Sequence, residues 1–401
     1  MRSRRSASPT HPATCSSPTS RTRASPTISP HWITALAGLL ALALAQGIGR
    51  FAFTPILPMM QDDAGVSLAQ GGWLAAANYL GYLAGALWAM VQRARADHAI
   101  RAGLAITTGA TLAMAFTESF SLWLALRALA GVASAWVLIH MSSWCARRLA
   151  RLGRPRLNGI VFAGVGAGVV LAGALCLALM TAGAGSRAAW LWSGAIGAAI
   201  TALVWPVVED AGSPAARISF ADYRWSADTV RLVACYSAFG IGYIIPATFV
   251  PVMAKQAIGD PAVFGWAWPV FGAAAAASTL AAGALGRVIS GRRLWMASTC
   301  VMALGVAAPL VIGGLAGIMV CALLVGSTFV VATLAGVQVA HQVSGSAAHV
   351  LIAALTASFA ATQVAGPLVV SYFAGFTSAL LLACGVLLAS AAALALPLRQ
   401  D

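Results

Sequence analysis

Charged residues are scarce in this sequence. They make up 8% of the 401 residues, while apolar residues make up 60%; a soluble domain carries about a quarter charged residues. Only 10 residues are acidic, and Lys255 is the single lysine among 24 cationic residues. This composition excludes an ordinary soluble domain. Since the short alternating segments of a membrane barrel are also missing, it predicts a polytopic helical membrane protein.

The residue patterns of metal, disulfide and nucleotide sites are missing as well. The seven cysteines form no CxxC pair, and the six histidines are isolated, with no HExxH sequence. Lys255 stands between Ala254 and Gln256 and therefore cannot belong to a Walker A loop. We expect no metal, no cofactor and no enzymatic activity. A sensor or scaffold would normally carry a soluble signalling domain, and the sequence contains none.

The net charge of +14 does not indicate a nucleic-acid-binding protein. The cationic residues collect in the N-terminal tail, in alternate loops between apolar runs and at the C-terminus, as the positive-inside rule describes. This pattern predicts that both termini are cytoplasmic. The use of arginine in place of lysine is typical of a GC-rich bacterial genome, so we expect a multi-pass protein of a bacterial inner membrane.

Twelve apolar runs are long enough to cross a bilayer as helices. They lie at about 32–58, 68–91, 99–117, 120–144, 157–181, 188–208, 230–253, 262–286, 294–313, 315–339, 348–373 and 376–398. We predict an all-α fold of two six-helix bundles, 32–208 and 230–398, joined by a cytoplasmic linker at 209–229. Residues 1–31 are rich in Ser, Thr, Pro and Arg, and we expect them to be a disordered basic cytoplasmic tail. The alternative is that the start codon was assigned too early and the segment is not part of the protein.

One motif occurs twice in the chain. AQGIGRFAFTPILPMM, residues 45–60, returns 193 residues later as AFGIGYIIPATFVPVM, residues 238–253. Arg50 of the first copy corresponds to Tyr243 of the second. A parallel repeat of this kind indicates two halves related by an axis along the membrane normal, as in many secondary transporters.

These features resemble the major facilitator superfamily. The resemblance is carried by the run GIGRFAFTPILPMMQ, by the six-plus-six layout and by the string GRVISGRR at 286–293. The first helix resembles the YbfB/YjiJ-type branch of bacterial permeases. The resemblance implies two pseudo-symmetric bundles of six helices, transport of a small solute by alternating access, and a monomeric protein.

The resemblance also implies which loops act as gates. It assigns gating to Arg287, Arg292 and Arg293, between the eighth and ninth helices. The corresponding loop of the first half, Gln92–Asp97, departs from the family pattern. The usual Asp–Arg latch of that half is therefore in doubt.

Two arginines lie within predicted helices that, by the resemblance, line the central cavity. Arg50 lies eight residues before the outer end of the first helix, and Arg127 about seven residues past the outer start of the fourth. Both therefore lie roughly 10–12 Å below the outer surface. No acidic residue is available at that depth, so the pair predicts a site for an anion, such as a carboxylate. Alternatively, each arginine binds backbone carbonyls near a helix break, or Arg127 pairs with Glu118.

Polar side chains accompany the arginines in the predicted substrate site. They are Gln46, Asn78, Tyr82, Tyr243 and Gln363. Gln46 lies one turn from Arg50 and shares its face of the helix. For each of the five, hydrogen bonding between helices is the simpler interpretation.

Two further patterns concern packing. The pairs Gly81/Gly85 and Gly164/Gly168 have the spacing that allows helices to approach closely. Trp266 and Trp268 are expected to lie at the membrane interface.

The sequence therefore predicts a secondary transporter of a small anionic organic solute, embedded in the bilayer, with no nucleic-acid partner. The alternative is an exporter of hydrophobic or toxic compounds. Acidic residues in the membrane core would have favoured a cationic drug, and no predicted span carries one in its core. Proton coupling, anion exchange and passive transport stay open, because only His140 or the carboxyl of the substrate is available to carry a proton.

Overall fold

The computed structural model describes residues 29–91, 95–208, 223–285, 289–372 and 375–397. The predicted disordered tail lies outside the described residues as far as residue 28, and the predicted linker lies outside them as far as residue 222. Arg287, which was predicted to act in gating, also lies outside them.

Twelve helices of the described residues are long and apolar enough to cross a membrane. They are α1 (Pro30–Asp63), α2 (Leu68–Val91), α3 (Ala96–Phe116), α4 (Phe120–Arg151), α5 (Pro155–Thr181), α6 (Ser186–Val204), α7 (Ala227–Ala257), α8 (Pro261–Ala282), α9 (Gly291–Val311), α10 (Gly314–Ser344), α11 (Ala348–Tyr372) and α12 (Phe376–Ala395). No strand occurs within these ranges. The predicted all-α fold with twelve spans is confirmed, because apolar runs of this length pair their backbone groups internally as helices.

Short turns connect several of the helices. The shortest predicted connection joins α9 to α10, where Gly313 adopts a φ of 71° that only glycine accepts readily. Because the number of spans is even, the two described ends of the chain lie at the same end of the bundle. We call it the terminal end, and we call the opposite end, which contains Asp62, the distal end.

In each half, an arginine near the terminal end binds backbone carbonyls that follow the last helix. Near the start of α3, Arg101 donates hydrogen bonds to the carbonyls of Trp205 and Val208 beyond α6, at 2.8–3.3 Å. At the start of α9, Arg292 donates to the carbonyl of Leu396 beyond α12 at 3.0 Å. In each half an arginine therefore satisfies backbone carbonyls at the end of the last helix, which have no partner within that helix.

Glycine permits the closest helix contacts of the first half. A methyl group added to Gly81 of α2 would lie 2.0 Å from the carbonyl oxygen of Ala128, and one added to Gly131 of α4 would lie 2.0 Å from that of Asn78. The same holds on α5, where Gly164 and Gly168 face the backbone of α1. The predicted role of these glycines in close packing is confirmed.

The halves meet through α1 with α7, α2 with α11, and α5 with α8. Between α1 and α7, Thr54 donates to the carbonyl of Ala247 at 3.2 Å. Nearer the distal end, Lys255 forms an ion pair with Asp62 and donates to the carbonyl of Pro58. In both the Thr54–Ala247 and the Asp62–Lys255 contact the partners are 193 residues apart, which is the spacing of the sequence repeat. The axis that relates the halves therefore passes between α1 and α7.

One prediction about the membrane interface is wrong. Trp266 is 54% exposed, as expected of an interface anchor, but Trp268 is only 1% exposed. Its ring stacks on that of Phe271, with centroids 4.7 Å apart. A separation of two residues along a helix rotates the side-chain direction by about 200°. Trp266 and Trp268 therefore face opposite sides.

The close contact between α2 and α4 yields a testable prediction. We expect Gly81→Ala to lower the melting temperature of the detergent-purified protein, because its methyl group would force two backbones apart at a cost of about 1–3 kcal/mol. Gly109→Ala is the matched control, since a methyl group there meets nothing within 4 Å. Equal melting temperatures for the two variants would contradict the rigid contact between α2 and α4.

Candidate functional site

The first helix is interrupted at the level of Arg50. Residues Ala43–Ile48 form a π-helical turn, and regular α-helix resumes at Phe53. Pro55 lies in the first turn of the resumed helix and has no backbone N–H, so the carbonyl of Phe51 accepts instead from the N–H of Thr54 at 3.1 Å. The Thr54 N–H is thereby withdrawn from the carbonyl of Arg50, its usual helical partner. The break leaves backbone carbonyl groups without their helical N–H partners. In an apolar interior such groups need another hydrogen-bond donor.

Arg127 supplies the missing donors. Its Nη1 donates to the carbonyl of Gly49 at 3.2 Å, and its Nη2 donates to the carbonyl of Arg50 at 3.0 Å. From α2, the Asn78 amide donates to the carbonyl of Arg127 at 2.9 Å and to that of Gly49 at 3.4 Å. Both terminal nitrogens of Arg127 are therefore engaged by the backbone of the break.

This arrangement matches the alternative interpretation of Arg127, in which a buried arginine binds carbonyls at a helix break. The other alternative, pairing with Glu118, is wrong. Glu118 is exposed and, together with Asp63 and Arg187, lines a separate cavity of about 510 Å³ at the distal end of the first half. Gln46, also predicted to bind substrate, donates to the carbonyl of Ser134 on α4 at 3.1 Å.

The guanidinium of Arg50 is in a different situation. Arg50 is only 4% exposed, and its Nε, like that of Arg127, has no hydrogen-bond partner, but its terminal nitrogens bind no backbone carbonyl among the described residues. Its Cζ lies 4.2 Å from the ring centroid of Tyr82, 5.1 Å from that of Tyr79 and 5.2 Å from that of Phe51. In the ranges that the structure describes, Arg50 makes no ion pair. Aromatic faces attract a cation, but they do not neutralise it.

One polar contact of the Arg50 guanidinium crosses to the second half. Its Nη2 donates to Oε1 of Gln363 on α11, and Nε2 of Gln363 donates to the hydroxyl of Tyr243 on α7 at 2.5 Å. Gln363 and Tyr243 are both fully enclosed by protein. A continuous polar connection thus links Arg50 to the residue that occupies its own position in the second copy of the repeat.

The seven predicted substrate-site residues fall into two groups. Arg50, Tyr82, Gln363 and Tyr243 meet at the interface between the halves, whereas Arg127, Asn78 and Gln46 bind backbone carbonyls of α1 and α4 within the first half. The contribution of Tyr79 was missed. Its hydroxyl shares a hydrogen bond of 3.0 Å with that of Thr248. A signal was available, because Tyr79 precedes Tyr82 by three residues and so shares its face of α2.

Of the predicted gating residues, Arg292 and Arg293 make no hydrogen bond or ion pair to the described part of the first half. Arg292 is bound to the carbonyl of Leu396 in its own half, and Arg293 is exposed. In the degenerate loop of the first half, Arg95 forms a two-pronged contact with the carboxylate of Asp97, with both distances 3.2 Å. An Asp–Arg pair is thus present there despite the departure from the family pattern. The gating role of Arg287, Arg292 and Arg293 stays a prediction.

Comparison with known families agrees with this architecture. A family model described as an uncharacterised MFS-type transporter, YbfB, matches residues 42–399. The chain belongs to this family. The resemblance noted in the sequence is confirmed, and the YbfB-type chain is a multi-pass membrane transporter and not an enzyme.

Two solved transporters share the fold of this YbfB-type chain. The nucleoside transporter NupG is 13% identical with a TM-score of 0.69, and the match covers 91% of this chain and 99% of that chain. The human organic anion transporter MFSD10 is 14% identical with a TM-score of 0.64, over 92% and 100% of the two chains. At these identities the likeness concerns the fold alone. No curated protein matches the sequence.

The position of Arg127 predicts that it stabilises the break in α1. Arg127→Gln should lower the melting temperature of the YbfB-type protein, because a buried carbonyl without a donor costs about 1–3 kcal/mol. Arg293→Gln, the same chemical change at an exposed site, should leave it unchanged. A variant Arg127→Gln that keeps its melting temperature but no longer binds ligand would instead make Arg127 a ligand contact.

Proposed function

We propose that this protein is a secondary active transporter that carries a small organic anion, bound at Arg50 between its two halves. One observation carries the proposal: the Arg50 guanidinium is buried and forms no ion pair among the described residues. A buried charge costs several kcal/mol unless a partner of opposite charge accompanies it. An anionic solute is such a partner.

The carboxamide of Gln363 stands where an oxygen of the solute would bind. Its Oε1 accepts from Nη2 of Arg50, and an amide oxygen accepts the same hydrogen bond as a carboxylate oxygen but brings no charge. A carboxylate that displaced it could bind Nη2 and the unpartnered Nε of Arg50 together, in the two-pronged geometry that makes such pairs strong. Binding at this position would also release Gln363 from Arg50 and so weaken one link between the halves.

Alternating access requires that the links between the halves break at one end at a time. At the distal end the ion pair between Asp62 and Lys255 connects α1 to α7. This ion pair supports a conformation closed at the distal end. We infer from its arginines that the terminal end lies in the cytoplasm of a bacterial cell. This conformation would then face inward, and we expect the protein to be a monomer.

The alternative function, export of hydrophobic or toxic compounds, has one observation in its favour. Rings of the second half crowd the site, and Phe329 and Phe359 stack in parallel on Tyr243. A purely hydrophobic cargo would nevertheless leave the charge of Arg50 without a partner. For this reason an organic anion fits the site better than an uncharged compound.

The first test measures ligand binding by thermal shift of the purified protein against small carboxylates, sugars, amino acids and lipophilic cations. Carboxylates should raise the melting temperature by mass action. Arg50→Ala should fold normally and reduce affinity at least about tenfold, the value of one hydrogen bond to a charged group; in proteoliposomes it should lose transport. Arg151→Ala, at an exposed arginine of α4, is the matched control. Transport that survives Arg50→Ala would remove the main support for the anion site.

The second test uses Gln363→Glu, which supplies a fixed carboxylate beside Arg50. An internal ion pair should raise the melting temperature of the ligand-free protein, by the equivalent of about 1–3 kcal/mol for a charge-assisted hydrogen bond. It should also abolish any further shift caused by carboxylates. Gln61→Glu, the same change near the distal end of α1, should do neither. Full carboxylate binding by Gln363→Glu would contradict the proposed role of Gln363.

A further inference from the structure

An aromatic surface of the second half adjoins Arg50. We call it the aromatic wall and define it as Tyr236, Phe239, Tyr243, Phe329 and Phe359. These residues come from α7, α10 and α11, and their contacting rings have centroids 5.1–5.6 Å apart. Tyr243 lies at the centre, flanked by Phe329 and Phe359 with interplanar angles of 0° and 4°.

The wall and the cation are parts of one site. The hydroxyl of Tyr243 accepts the hydrogen bond from Gln363, whose Oε1 is bound to Arg50. On the opposite side Tyr82 and Tyr79 of the first half face the guanidinium. A solute oxygen that replaced Oε1 of Gln363 would therefore have the rings of the wall beside the rest of the solute.

One member of the wall is accessible. Phe359 is partly exposed, whereas the other four members are buried. It lies one helical turn before Gln363 on α11, on the terminal side. The edge of the wall that a solute reaches first is therefore a phenyl ring.

The charges around the site restrict the rest of the solute. The terminal nitrogens of Arg127 donate to the carbonyls of Gly49 and Arg50, so a second carboxylate bound there would compete with the backbone of the break for these donors, and only Nε is unpartnered. No described acidic residue lies against Arg50 to receive the ammonium group of an amino acid. The arrangement fits a single negative charge attached to an uncharged, flat body.

From this geometry we propose that the solute is an aromatic monocarboxylate. Its carboxylate binds Arg50 in place of Oε1 of Gln363, and its ring packs against the aromatic wall at Phe359. The inference rests on the proposed function, because it assumes that Arg50 binds the anion. It adds that the uncharged part of the solute is an aromatic ring.

The test compares benzoate, cyclohexanecarboxylate and acetate as ligands of the full-length protein in detergent, with dissociation constants from titrated thermal shifts. Benzoate and cyclohexanecarboxylate have nearly the same size, so their difference isolates the aromatic contact. We expect benzoate to bind about two- to tenfold more tightly than cyclohexanecarboxylate, the range that an aromatic pair contributes beyond burial. In Phe359→Leu this preference should disappear, while binding of acetate stays as in the wild type.

Two further variants control the experiment. Phe376→Leu removes a ring from a separate pair with Phe249, whose centroids are 5.7 Å apart, and should keep the preference for benzoate. If Phe359→Leu is unstable, Phe359→Tyr retains the ring and should retain the preference. Loss of the preference in Phe359→Tyr would show that ring stacking is not its source and would overturn the inference.

The outcomes separate the two proposals. Equal affinities for benzoate and cyclohexanecarboxylate, both lost in Arg50→Ala, would overturn the aromatic inference and leave the anion site intact. A preference that survives Phe359→Leu would overturn the role of the wall. Binding that is unchanged in Arg50→Ala, or no binding of any of the three acids, would overturn the anion site and the aromatic inference with it.

Discussion

The hydrogen bonds from Arg127 to the carbonyls of Gly49 and Arg50 hold the break in α1. Without them the carbonyl of Arg50 would have no described donor in an apolar interior, and the carbonyl of Gly49 would keep only the long bond from Asn78. The π-helical turn contains one residue more than a turn of α-helix. It therefore changes the direction in which the side chain of Arg50 points. The glycine contacts between α2 and α4 serve the same end, because they bring Asn78 and Arg127 within reach of the break.

Two arginines at one depth thus differ in their freedom to bind a ligand. The charge of Arg127 is spread over backbone carbonyls, which carry partial negative charge and leave its terminal nitrogens occupied. The charge of Arg50 is met by aromatic faces and by one neutral amide. Exchange of that amide for a carboxylate gains a full opposite charge and gives up one link between the halves. The carbonyls around Arg127 have no such replacement. The arrangement leaves Arg50 as the cation available to a solute.

Much of this structure could be predicted from the sequence. The number of helices follows from run length and hydropathy, and the equal depth of Arg50 and Arg127 follows from counting residues along two oppositely directed helices. Which of the two arginines would donate to backbone carbonyls could not be predicted. That depends on how Pro55 diverts the N–H of Thr54 from the carbonyl of Arg50. The aromatic wall was missed for another reason. Phe329 and Phe359 are apolar residues within apolar spans, so no local pattern distinguishes a ring beside the site from a ring in the lipid-facing or packed surface.

The contacts between positions 193 residues apart bear on how such a chain can arise from two copies of one unit. On a two-fold axis each residue faces its own counterpart, so identical units would oppose aspartate to aspartate at position 62 and arginine to arginine at position 50. Like charges that face each other repel. The observed partners, Asp62 with Lys255 and Arg50 with Tyr243 through Gln363, require that the two copies differ. Joining the copies in one chain permits that difference, and with it an arginine at only one of the two equivalent positions.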